Sequence, residues 1–145
     1  MKDFWPYSDV ATDEISIYGG ADAFLADFEA ASRPEQVAFA AYWLQAEVLN
    51  GGLNQFFSND TGVLAPEAAD ACRTVGLPKL AAKLEEAMKW FGPSFPREHE
   101  VRESRLEEEA DDPFQAIDDQ VVELIYEENS GLEQATIKYI EAHGS

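Results

Sequence analysis

From Pro34 to Leu49 the chain reads PEQVAFAAYWLQAEVL, with charge only at Glu35 and Glu47. Wound as a helix, this run carries apolar side chains on every side, and a helix with no polar face has to be buried. Pro34 suits the first helical turn, where its missing N–H removes no bond. Asn50-Gly51-Gly52 then breaks the run. Any fold open to this chain must surround that segment with other elements.

The remaining sequence supplies them as helices. Residues 22–31 carry Phe24, Leu25 and Phe28 at helical spacing, and Ser32-Arg33-Pro34 restarts the chain. After the glycines come a short helical turn around Leu53–Phe57 and a turn at 59–62. Residues 66–75 open on Pro66 and close at Gly76. Residues 78–91 repeat that frame between Pro78 and Gly92, with Leu80, Leu84, Met88 and Phe91 as the buried stripe. Asp112-Pro113 starts another helix, in which Phe114, Ile117, Val121 and Leu124 recur at i, i+3, i+7 and i+10. Ser130-Gly131-Leu132-Glu133 reads as a capping box, opening a last helix through Tyr139 and Ile140 that ends near Gly144. No segment alternates as a strand would. The expectation is all-α: one compact multi-helix domain over 1–145, built around a buried central helix. Residues 1–20 form an N-terminal arm, whose Phe4, Trp5 and Tyr7 would cap an edge of the core or seal a homodimer.

The break itself, EVLNGGLNQFFSNDTG from Glu47 to Gly62, gathers amides and aromatics. Gly51 is expected to take the left-handed conformation of a helix stop, and Gly52 to let the chain double back closely. Phe56 and Phe57 would then enter the core, while Gln55 and Asn59 bond carbonyls orphaned at the helix end. Asn54, Gln55 and Asn59 could alternatively line a small-ligand pocket. Catalysis is not expected there, since amides are poor acids, bases and nucleophiles.

Charge sets the class of partner. Asp and Glu number 29 against 10 Lys and Arg, a net −19. With 46% apolar and 12% aromatic residues, the chain is too hydrophobic to be a disordered acidic tail. Such a surface repels nucleic acid, anionic lipid and phosphorylated substrates, and it attracts basic proteins. Thirteen acids fall between Glu98 and Glu128, opposed there only by Arg102 and Arg105. Asp119, Glu123 and Glu127 stand at i, i+4, i+8, and Glu100, Glu103 and Glu107 make a similar line, with Asp111, Asp112 and Asp118 between them. A 1.5 Å rise per residue puts the carboxylates of one line about 6 Å apart. Duplex DNA carries a charge roughly every 1.7 Å of axis, so two or three such lines side by side would approach it. The plainer reading is a solvated face that keeps the domain apart from its neighbours.

Other chemistries find little support. The lone Cys72 can form no internal disulfide. His99 and Glu103 are an i, i+4 pair, but no EF-hand, zinc or di-iron pattern surrounds them. No metal, cofactor or catalytic residue is expected. MKDFWPYSDV lacks a signal-peptide core and no run approaches a membrane span, so the expected location is cytoplasmic.

Glu47, Asn50-Gly51-Gly52, Gln55-Phe56-Phe57, Asn59 and Gly62 together resemble the signature of a family of small bacterial helical proteins, named after a DNA-mimic protein that is number nineteen in its series. Ala68-Ala69 through Gly76, Asp118-Asp119 and the closing Lys138-Tyr139-Ile140-Glu141-Ala142-His143 extend the resemblance over roughly 35–143. Leu53 departs from it, at a position where the pattern carries an aromatic. The resemblance implies an all-helical fold, no catalytic residues, and occupation of the DNA-binding face of a transcriptional regulator or other basic DNA-binding protein. An immunity-type inhibitor of one dedicated partner is the alternative, and a small-ligand or enzymatic domain using the amide cluster is another.

Overall fold

Each break in helical periodicity becomes a helix end in the computed structural model of the chain, which describes residues 15–143. Seven α-helices follow: α1 (Ala21–Ala30), α2 (Arg33–Ser58), α3 (Ala65–Thr74), α4 (Pro78–Met88), α5 (His99–Glu107), α6 (Gln115–Glu127) and α7 (Leu132–His143). Short 3-10 turns at Asp60–Leu64, Lys89–Phe91 and Glu128–Ser130 link some of them. No strand occurs among the described residues. The chain is all-α. Phe4, Trp5, Tyr7 and Gly144 lie outside the described residues, so the expectations for the arm's aromatics and the last helix's end fall there too.

The central helix is α2, against which α3, α5, α6 and α7 all pack. Its start is a capping box: Ser32 Oγ accepts from the Glu35 amide, and the Ser32 amide donates to Glu35 Oε1. That device was expected at Ser130 instead. There, α7 begins after Gly131, Ser130 sits at φ 69°, and Glu133 Oε1 accepts a bond from Gln45 of α2. Val37, Ala38, Phe39, Ala40, Ala41, Leu44 and Val48 of α2 are buried. The helix is not enclosed all round, however. Leu49 is exposed, and with Tyr42, Gln45, Ala46 and Asn50 it lines a shallow groove of about 530 Å³.

Gly51 and Gly52 both leave helical geometry, so the helix stops here as expected and restarts at once, α2 being two helical stretches joined at a kink. The roles of the two glycines are exchanged relative to expectation. Gly51 sits at φ −152°, while Gly52 takes φ 77° and ψ −175°, a region essentially confined to glycine. Gly51 is needed for space, because a Cβ there would lie 2.0 Å from Gln55 Oε1. Beyond the kink, Leu53, Phe56 and Phe57 are fully buried. Burying each such side chain contributes roughly 1.5–3 kcal/mol. Phe57 meets Phe91, Phe95 and Phe114 with ring centroids 5.0–5.8 Å apart, so it joins α2 to the loop after α4 and to the start of α6.

On α6 the buried positions are Val121 and Ile125, following Phe114, with Ile117 and Leu124 only partly covered. Ile125 thus takes the place expected of Leu124. Helix α5 buries just two residues, Arg102 and Leu106.

Candidate functional site

The amide cluster at the kink closes on a carboxylate rather than on backbone. Glu47, 9% exposed, accepts at Oε2 from Gln55 Nε2 (2.8 Å) and from Asn59 Nδ2 (3.0 Å). Helix geometry brings them together: Glu47 is on the last turn before the kink, and the reversal at Gly52 turns Gln55 and Asn59 back towards it. Asn54 is also occupied, its Oδ1 and carbonyl both accepting from Ser58 Oγ. The expected bonds from Gln55 and Asn59 to orphaned carbonyls are therefore absent, because the buried carboxylate is the stronger acceptor. All three amides are engaged within the fold.

Asp118 completes the junction from α6. The kink leaves the Leu53 amide without a helical partner, and Gly52 has no side chain to cap it. Asp118 Oδ1 accepts that N–H at 3.0 Å. Partial burial raises the Asp118 pKa above the usual carboxylate range, the Leu53 bond working against that rise.

Two other acids of the 98–128 segment serve in the same way. Asp112 Oδ1 accepts from the Phe114 amide at 2.9 Å in the turn that precedes α6. Glu128 reaches across to α4, its two oxygens each 2.9 Å from an amide, that of Lys79 or that of Leu80. A carboxylate suits the positive end of that helix. The other ten acids, Glu98, Glu100, Glu103, Glu107, Glu108, Glu109, Asp111, Asp119, Glu123 and Glu127, are all exposed. Among the described residues none has a lysine or arginine within ion-pair distance; Glu103 alone has a neighbour, His99, at 3.7 Å.

Both arginines of the segment bond backbone carbonyls rather than the neighbouring acids, Arg102 from a buried position and Arg105 from an exposed one. Arg102 is wholly buried, its Nε donating to Phe57 O (2.9 Å) and its two amino groups to Asn59 O (3.0 Å), Pro96 O and Arg97 O. Burial lowers its pKa to about 10, with nearby Asp60 and Glu98 opposing the fall. Arg105 donates to Phe91 O at 3.1 Å and lies 5.3 Å from the centre of the Trp90 ring. Sequence reasoning missed Arg102. The available signal was Arg102 with Leu106, an i, i+4 pair on this helix, although Val101 with Arg105 offers the same spacing and stays exposed.

The two acidic lines do not lie side by side. Helices α5 and α6 each pack on α2 and not along one another. Residues 108–114 join them, carrying Glu108, Glu109 and Asp111 across the gap. No group of three or more His, Cys, Asp or Glu residues able to hold a metal ion occurs among the described residues. Nor is any described helix long and apolar enough to cross a membrane. Cys72 is buried, and that burial, with Glu128 nearby, pushes its thiol pKa well up and away from reactivity.

Comparison with known proteins agrees with the family resemblance. Neither curated proteins nor solved structures returned a match. The family model described as DMP19-like protein matches residues 29–143, which include the kink, both acidic helices and α7. The chain belongs to the DMP19-like protein family.

Proposed function

We propose that this protein is an acidic binding module that imitates DNA and occupies the DNA-binding surface of a basic protein, such as a transcriptional regulator. The observation that carries the reading is the division of labour in residues 98–128: among the described residues ten exposed carboxylates have no lysine or arginine within ion-pair distance, while both arginines of the segment are bonded to backbone carbonyls. A face meant only for solvation gains from interspersed cations, which relieve like-charge repulsion. Here the two arginines of the segment are taken up by backbone carbonyls instead. The name of the family, taken from a DNA mimic, supports the same reading.

In this mechanism Glu100, Glu103, Glu107, Asp111, Asp119, Glu123 and Glu127, with Glu98, Glu108 and Glu109, stand in for phosphates. Asp112 and Asp118 add charge, although each already holds a backbone amide. Lysines and arginines facing these carboxylates cannot engage DNA, so inhibition is competitive and weakens steeply with salt. The protein acts by binding, without a cofactor and without turnover.

The test is capture from bacterial lysate on the immobilised protein at low salt, followed by elution with excess duplex DNA. DNA-binding proteins released by the duplex are the expected result. A single protein that stays bound through the duplex wash would replace this reading with a dedicated, immunity-type inhibitor. Retention of nothing would leave the acidic face as solvation alone.

A further inference from the structure

Beside α5 the acidic surface is concave. Trp43 and Glu47 of α2, Asn59, Asp60 and Thr61 beyond its end, and Glu103 of α5 line a cleft of about 190 Å³. A second lobe of about 220 Å³ shares Tyr18, Asp60 and His99 with it and runs out past Glu98 and Glu100. We propose that this cleft is the anchor of the acidic face and takes one arginine side chain of a partner polypeptide, a proposal that rests on the reading above.

The charge available in the cleft is negative. Arg97 and Arg102 border the outer lobe, but Arg97 is held by Glu67 and by Val63 O, and Arg102 by carbonyls. His99 is spent as well, its Nε2 donating to Ser58 O at 2.6 Å and its Nδ1 lying 3.2 Å from Asp60. That leaves the exposed carboxylates of Glu98 and Glu100 for an incoming cation, with Glu103, whose one neighbour is His99 at 3.7 Å, on the wall and Glu47, already held by Gln55 and Asn59, at the base.

Two unsatisfied groups point independently to a ligand. Thr61, only 3% exposed, has a hydroxyl with no hydrogen-bond partner, and the Trp43 indole N–H is likewise buried without an acceptor. Buried polar groups are nearly always paired, so each marks a missing partner. The Trp43 N–H can only donate and needs an acceptor such as a peptide carbonyl. The Thr61 oxygen can accept an N–H. Tyr18, 77% exposed, and Trp43 add aromatic faces on which a guanidinium can stack. A cationic donor with a carbonyl close behind it, between aromatic rings and carboxylates, describes arginine within a peptide. A phosphate offers acceptors only, and the carboxylates would repel it.

The full-length protein, labelled with nitrogen-15, is titrated with N-acetylarginine amide, its uncharged citrulline counterpart and free L-arginine. The chain has three tryptophans, and Trp43→Phe identifies the relevant indole signal. The arginine amide is expected to shift the Trp43 indole and the amides of Thr61 and Glu103 with single-site saturation. Citrulline amide should leave them in place, and free arginine, whose carboxylate meets Glu98 and Glu100, should bind more weakly. Glu103→Gln should weaken the arginine amide at least fivefold, and Glu123→Gln on α6 should leave it unchanged. Three results would overturn the proposal: no saturable shift at Trp43, equal shifts along Asp119 and Glu123, or free arginine binding as tightly as the amide. None of these would prevent capture of a basic protein by the face as a whole, so the two readings fail separately.

Discussion

The carboxylates at the α2 kink and those on the outer faces of α5 and α6 are the same chemical groups in opposite employment. At the kink, Glu47 is buried under two amide donors, and Asp118 is half-buried on the Leu53 amide. On and around α5 and α6 ten acids are exposed and, among the described residues, have no lysine or arginine within ion-pair distance. The difference shows that net charge is a poor guide to an acidic protein's working surface. Sorting acids by what each one touches separates architecture from unspent charge, and it predicts that the two sets respond to mutation in opposite ways.

The largest effect should come from Arg102→Met. Removing the guanidinium leaves the carbonyls of Phe57, Asn59, Pro96 and Arg97 short of donors in a buried site. A loss on the order of 3–4 kcal/mol follows from several unsatisfied groups at once, read as a lower urea midpoint at unchanged slope. Glu47→Ala comes next. It strands the Gln55 and Asn59 amides, and about 2 kcal/mol should be lost. Should Glu47→Ala keep full stability yet abolish binding of a small molecule, the kink would belong with the functional surface and the comparison would collapse.

Sequence patterns revealed much of the fold because helix punctuation is local. Pro34, Pro66 and Pro78 at helix starts, and Gly76 and Gly92 after helix ends, act within a turn of where they stand. Phe56 and Phe57 could be assigned to the core for the same reason. What stayed hidden depends on distance in space. Glu128 caps α4 from 48 residues away, Asp118 caps the restarted α2 from 65, and Arg102 reaches carbonyls 43–45 residues earlier. A carboxylate in the sequence carries no mark of whether a helix end awaits it. The candidate surface was therefore legible as a set of acids, but not as ten free ones and three committed ones. The swap of Gly51 with Gly52 was hidden too, since two adjacent glycines can share a kink in either order until Gln55 folds back over the first.

Asp118 offers a subtler break. Its pKa is raised in the folded state, so its contribution to stability is fully present below the unfolded pKa and is lost as pH rises through the folded one. The stability of the wild type relative to Asp118→Asn should therefore improve on acidification through the carboxylate range, a pH series of denaturation curves being the measurement. Asp118→Ala, which removes the cap altogether, should cost about 1 kcal/mol at neutral pH. A flat pH series would place Asp118 with the exposed acids.

The smallest effect on the fold should come from the triple change Asp119→Asn, Glu123→Gln and Glu127→Gln. These carboxylates lie four residues apart on α6, exposed and without cationic neighbours among the described residues. Like charges at that spacing repel by a few tenths of a kcal/mol per pair, so neutralising all three should leave stability unchanged or raise it slightly. The same variant should retain less basic protein in the low-salt capture, and the deficit should narrow as salt rises and screens the wild-type face. A stability gain combined with a binding loss is a signature that neither solvation nor architecture produces. Solvating charge would relieve the same repulsion but leave retention of basic protein unchanged, and capping charge would lower stability first. Observing both shifts together would show that α6 carries its carboxylates at a cost to the fold that only a partner offsets.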